Sequence, residues 1–261
     1  KYGWRALFLV GLISIPYIFV VKFYLKETKR FVVQDDQKLS KFTENHLSPL
    51  SKIKLLLNPS MRKCSLTIFF AQYLFVIAYG SSAMFFPTYF AEYRGLQIGD
   101  SALLVGFGNA IGVLGYLLAA YVGEFIFTRR TTVVIWTILG SISFIYLIWF
   151  TEHYFDTLLA FGIMSMFFYG TAAVKFAFIA EIFPTEIRAT GLSVCSSLAV
   201  NLGIASGPLM LTYGINWLGW NIAFTYFVAI PLIFAGLMYL VLEPLPSGLE
   251  LEEIQEKLNF K

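Results

Sequence analysis

EIFPTEIRATG, residues 181–191, sets two acids, an arginine, a proline and a glycine between two apolar runs long enough to cross a bilayer. Proline cannot continue a helix and restricts the residue before it, so Glu181 to Pro184 closes one helix. Thr185 suits the cap of the next helix and Glu186 its first turn. Arg188 stays near the interface, and Gly191 lets the new helix approach its neighbours.

Working outward, seven apolar runs reach the roughly 20 residues that a span requires. They are Ala6–Leu25, Cys64–Phe90, Ser101–Gly123, Thr132–Phe150, Thr157–Ala180, Gly191–Tyr213 and Asn221–Leu242. Only Lys22 and Lys175 interrupt them with charge, and Lys22 lies close enough to a helix end to snorkel. Runs this long and unbroken suit helices rather than barrel strands. The expected class is an all-α integral membrane protein with seven transmembrane helices. Composition agrees, with 58% hydrophobic and 13% charged residues in a chain of 261, where soluble domains carry about a quarter charged.

The same numbers exclude other classes. A net charge of +3 gives nucleic-acid binding no electrostatic support. Cys64 and Cys195 sit in or beside apolar runs, far from His46 and His153, which argues against a disulfide framework or a metal site. No HExxH, GxSxG or P-loop is present, and GFGNAIG, residues 106–112, lies inside an apolar run with the wrong spacing for a dinucleotide fingerprint. No enzyme activity and no cofactor is expected.

Lysine and arginine set the orientation. The loop Lys26–Lys63 carries nine of them, and the segments with Arg129 and Arg130, with Arg188, and with Lys257 and Lys261 add five. All fall on one side if every run spans. The other side holds Lys1, Arg5 and Arg94. The rich side is read as cytoplasmic, with the N-terminus outside and the C-terminus inside. Trp4, Tyr89, Tyr93, Trp149, Tyr154, Trp217 and Trp220 gather as an outer aromatic belt. Within the long loop, SPLSKIKLLLNP places Leu50, Ile53 and Leu57 on one helical face. It reads as a short basic helix on the membrane surface, stopped at Asn58-Pro59, or as a solvated linker. LELEEIQEKL in the tail reads as a short surface helix.

EIFPTEIRATG resembles the signature of the major facilitator superfamily at the loop between its tenth and eleventh helices. GEFIFTRR, residues 123–130, resembles the loop between helices eight and nine, with Glu124 as the acid and Arg129-Arg130 as the paired arginines. Thr128 stands where a glycine is usual. GWR at Gly3–Arg5, LKETKRF at Leu25–Phe31 and LEEI at Leu251–Ile254 resemble the sugar-porter and metabolite–proton symporter branches. The resemblance implies helices six to twelve of a twelve-helix transporter. Residues 1–25 would be the sixth helix, 26–63 the central cytoplasmic loop, 64–242 the C-terminal six-helix domain and 243–261 the tail. It implies a plasma-membrane protein and a missing N-terminal half. It further implies a small-molecule substrate moved by alternating access, and proton symport. Such halves rock about a site at mid-membrane. Glu124, Arg129, Arg130, Glu181, Pro184, Glu186, Arg188 and Gly191 match the family's cytoplasmic gate, where ion pairs hold the inner side closed. Plain topology anchoring is the alternative for the three arginines.

Inside the runs, Lys175 is the sharpest feature. It can contact an anionic substrate, snorkel about 9 Å toward Glu181, or pair with Glu181 or Glu124. Gln72, Asn109 and Asn201 can serve a ligand or a neighbouring helix. Gly106, Gly108, Gly112, Gly115, Gly203 and Gly207 read as packing positions, and Pro87, Pro208 and Pro231 as kinks. Sugar porters carry a Gln-Gln-x-x-Gly-x-Asn stretch in helix seven where this chain offers only Gln72, and their helix-ten tryptophan falls on Phe176. An organic anion is therefore expected ahead of a sugar. No acid lies within a run, so a coupling carboxylate would come from the missing half. A seven-helix retinal protein, which needs a buried counter-ion, and an inert half-transporter are the remaining readings.

Overall fold

The computed structural model describes residues 12, 14–24, 48–184 and 187–244. The chain falls into two compact units, Lys1–Leu47 and Ser48–Lys261. In the first, the helix Ser14–Tyr24 lies within the expected Ala6–Leu25 run. The rest of that run, the Lys22 side chain, most of the long loop, Thr185, Glu186 and the LELEEIQEKL tail lie outside the described residues.

In the second unit, six helical segments are long and apolar enough to cross a membrane: Pro59–Tyr93, Ile98–Phe125, Arg129–Phe150, Tyr154–Ile182, Arg188–Leu218 and Trp220–Val241. They are the first to sixth spans below. Each of the six runs expected in this region has its span, and the observed helices extend past the apolar bounds at every end but those of the third, at Phe150, and the sixth, at Val241. The largest differences, five residues each, are at the start of the first, at Pro59 rather than Cys64, and at the end of the fifth, at Leu218 rather than Tyr213. Asn58 is the N-cap and Pro59 the first helical residue, where a missing N–H costs nothing. SPLSKIKLLLNP does form a helix, Pro49–Leu56, capped by Ser48.

Pro87 breaks the first span. Its helix pauses after Ala83, resumes over Phe86–Thr88 and closes in a π turn, Tyr89–Tyr93. The break turns Phe86, Tyr89 and Phe90 inward, all fully buried. Phe86 meets Phe161 edge-on at 4.8 Å and lies about 6 Å from the rings of Phe90, Phe144 and Phe224. This is the heart of an aromatic core. A second core, mostly aliphatic, joins Met61, Ile68, Val133, Ile182, Phe183, Ile187 and Tyr239.

Two further π turns, Leu192–Ser197 and Thr225–Ala229, sit in the fifth and sixth spans. The latter directly precedes Ile230 and the N–H-less Pro231, and the Ser141 hydroxyl donates to the Ala229 carbonyl at 2.9 Å. Close helix packing is real at Gly115, where a Cβ would overlap the Met166 carbonyl. Gly170 packs as tightly against Gly115, so the second and fourth spans cross backbone to backbone. Gly106 departs from expectation: it faces open space.

Candidate functional site

Three charged ends meet on one rim of the bundle. Thr128 caps the third span and makes Arg129 its first helical residue. The Arg129 fork donates one N–H to Glu181 Oε1 and another to Glu124 Oε2. Glu124 ends the second span and Glu181 the fourth, so one guanidinium joins three helices. The arginine and Glu181 are only 20% and 19% exposed, Glu124 37%. All three charges face the wrong pole of their own helix. The arginine stands at an N-terminus and the acids at C-termini, each at a cost of about 0.3–1 kcal/mol. Their mutual attraction compensates this mismatch.

The other rim residues divide. Arg130 donates to the Leu242 carbonyl at 2.8 Å, capping the sixth span. Arg188 donates to the Phe183 carbonyl at 3.3 Å. Pro184 follows the extended Phe183 and its carbonyl accepts from Ile187 N–H. Gly191 lies against the Phe183 ring, where a Cβ would come within 2.7 Å. Glu186 lies outside the described residues.

The interior residues divide too. Gln72 is fully buried and donates to Ser196 Oγ at 2.9 Å, joining the first and fifth spans. Asn201 donates to the Ser197 carbonyl of its own helix. Asn109 instead lines a cavity of about 380 Å³ with Tyr79, Tyr116, Tyr169 and Gly112. These tyrosines are polar groups inside apolar runs, the sequence signal that would have found them. Lys175 is 1% exposed. Its Nζ lies 3.3 Å from the Phe75 ring centroid and 5.1 Å from that of Phe176. Phe75 is sixteen residues into the first span, about 24 Å along it, so the ammonium is deep rather than snorkelling. Its side chain pairs with neither Glu181 nor Glu124, which share Arg129. The Phe75 ring beside it packs on Phe168 at 5.4 Å, and Phe168 lies 6.5 Å from Tyr79 of the tyrosine cavity. Phe176 is about half exposed.

A six-span helical bundle, its ends tied by Arg129 across Glu124 and Glu181, has the form the signature implied. The Major Facilitator Superfamily pattern matches residues 113–260, more than half the chain. The chain belongs to the Major Facilitator Superfamily. It is thereby a multi-pass membrane protein of a transporter family. No curated protein matches it.

At the end opposite the rim lies a cluster in this superfamily chain that sequence reasoning missed. Arg94 donates to the carbonyls of Leu147 at 3.0 Å, Ile148 at 3.1 Å and Thr151. Its Nε donates to the Tyr89 hydroxyl at 2.9 Å, which in turn donates to Asn221. Here a cation caps the C-terminus of the third span, the favourable pole. Tyr89 is therefore a buried bridge and not a belt residue, whereas Trp217 and Tyr93 are exposed.

Proposed function

We propose that this chain is the C-terminal half, with its preceding helix, of a secondary active transporter. It moves a small organic anion across the plasma membrane by alternating access, with proton coupling. The rim is cytoplasmic, and the Arg129 triad is its gate. The observation that carries the anion is Lys175. A face-on aromatic ring returns about 2 kcal/mol to a desolvated ammonium, while removing that ammonium from water costs several. Among the described residues no carboxylate supplies the difference. An anionic solute would.

The missing half is supported by burial. Only 28% of the second span's apolar window and 33% of the fifth's are buried, against 61% in the fourth. Asn109, Tyr79 and Tyr116 are exposed beside that open surface. Amide and hydroxyl groups at such depth belong on water or protein, not lipid. The second half therefore packs there and encloses the cavity. Proton coupling rests on the branch the loops resemble. Away from span ends the described spans hold no acid, so the coupling carboxylate comes from the other half.

The neutral, tyrosine-lined cavity favours a second reading, a sugar. Uptake into vesicles carrying the full-length protein separates the two. Labelled mono- and dicarboxylates should enter and Lys175→Gln should abolish their uptake, with the protein still in the membrane. Hexose uptake, or carboxylate uptake unchanged in Lys175→Gln, overturns the anion reading.

A further inference from the structure

The Pro49–Leu56 helix has a face that the transport reading does not use. Eight residues make a marginal helix alone. This one is held by its Ser48 cap and by Leu56, which is buried with Ile182, Phe183 and Ile187 beside the rim triad. The adjoining face is open. Leu50, Ile53 and Leu57, at i, i+3 and i+7, are 73%, 36% and 56% exposed. Lys54 borders this stripe, and Arg62 and Lys63 follow, exposed, at the start of the first span. None of the three meets an acid among the described residues. From Ser48 to Ala91 the sequence holds no Asp or Glu.

We propose that this helix is a docking surface for anionic phospholipid headgroups, lying in the leaflet on the rim side. Only Leu57 and Asn58 separate it from the first span, so its distance from the bilayer surface is fixed by the chain itself. Three apolar side chains on two turns are too few for a stable protein interface of about 1,200 Å² or more. They suffice to seat a helix at the headgroup boundary, where basic neighbours draw anionic lipid. The same helix carries Leu56 into the packing beneath Phe183, so lipid contact is felt at the segment that closes the fourth span. The proposal requires only that the six spans lie in a bilayer, and it stands or falls apart from any transport activity.

The test is hydrogen exchange of the peptide covering residues 49–57, in full-length protein held in lipid nanodiscs. Phosphatidylcholine alone is compared with the same lipid carrying about a third phosphatidylserine. Exchange should slow by at least about fivefold with the anionic lipid, the effect of one base at such a surface. Lys54→Gln, Arg62→Gln and Lys63→Gln together should erase that difference and keep the rate seen in phosphatidylcholine, which shows the helix still folded. Leu50→Ser with Ile53→Ser should speed exchange in both lipids. Equal rates for the unaltered protein in both lipids overturn the proposal. So does a difference that survives the three Gln substitutions. Full protection in detergent without lipid would mean that protein covers the stripe.

Discussion

Reversing the rim triad separates a gate from a set of anchors. The perturbation is Glu124→Arg, Arg129→Glu and Glu181→Arg together, beside the single Arg129→Gln. At about 4 Å between charge centres and an effective dielectric near 20, each pair gains about 4 kcal/mol of Coulomb energy. Partial exposure, desolvation and side-chain entropy leave about 1 kcal/mol of it for each pair. The single change should therefore favour the open rim by about 2 kcal/mol, or some thirtyfold. The reversal keeps both attractions and changes the pole that each charge faces. Three costs of about 0.3–1 kcal/mol become three gains, because the acid now stands at the N-terminus and the arginines at C-termini. These terms act within single helices and are the same whether the rim is open or shut, so the reversed rim should close about as tightly as the unaltered one. The assay is the rate at which an impermeant maleimide, applied from the rim side, labels Phe176→Cys in full-length protein with Cys64 and Cys195 replaced by Ser. That position is exposed and lies five residues, about 7.5 Å, inward of Glu181. Labelling should rise about tenfold or more in Arg129→Gln and return to about the unaltered rate in the reversal. A reversal that labels as fast as Arg129→Gln would refute the electrostatic account. An unchanged rate in Arg129→Gln would leave the arginine as an anchor only.

Two further outcomes test the scaffold that carries the site. Gly115→Ala drives a methyl into the Met166 carbonyl, so the second and fourth spans must part. A loss of about 3 kcal/mol should lower the melting temperature of the purified protein by roughly 5–10 °C, and an unchanged value would show that the crossing is looser than described. Arg94→Lys keeps the charge but loses the fork to the Leu147, Ile148 and Thr151 carbonyls. A cost of about 2–3 kcal/mol is expected in the same melting assay, and full retention of stability would mean charge alone caps the third span.

Much of this arrangement was legible in the sequence because a bilayer leaves few choices. Uninterrupted apolar runs become helices wherever backbone groups have no water to bond. The loop chemistry of Glu181–Gly191 then pointed to the family. Exact partners were not legible. Glu181 bonds Arg129 rather than Arg188, because the third span begins at Thr128 and presents Arg129 between two helix ends. Spacing along one chain cannot show which ends converge. Gln72 and Asn109 look alike in a sequence, yet one ties two spans and the other lines a cavity. Their difference lies in helix rotation, and the interruption at Pro87 and three π turns reset that rotation within single runs. Arg94 looked like one of few charges on a poorly charged side. Its role depends on where the third span stops, at Phe150, with the carbonyls of its last turn in need of donors.

In the proposed alternating access, the bonds around Arg94 would serve as the fulcrum. Tyr89, Arg94, Thr151 and Asn221 bring parts of the first, third and sixth spans to one point, through contacts that favourable helix poles reinforce. The far end is held by charges that their own helices disfavour. Displacement in such a lever grows with distance from the fixed point. A tilt of about 10° around Arg94 moves a helix end some 5 Å across a 30 Å membrane. That stroke exceeds the reach of an ion pair, so a movement too small to disturb the packing at one face of the membrane is enough to part Arg129 from its acids at the other.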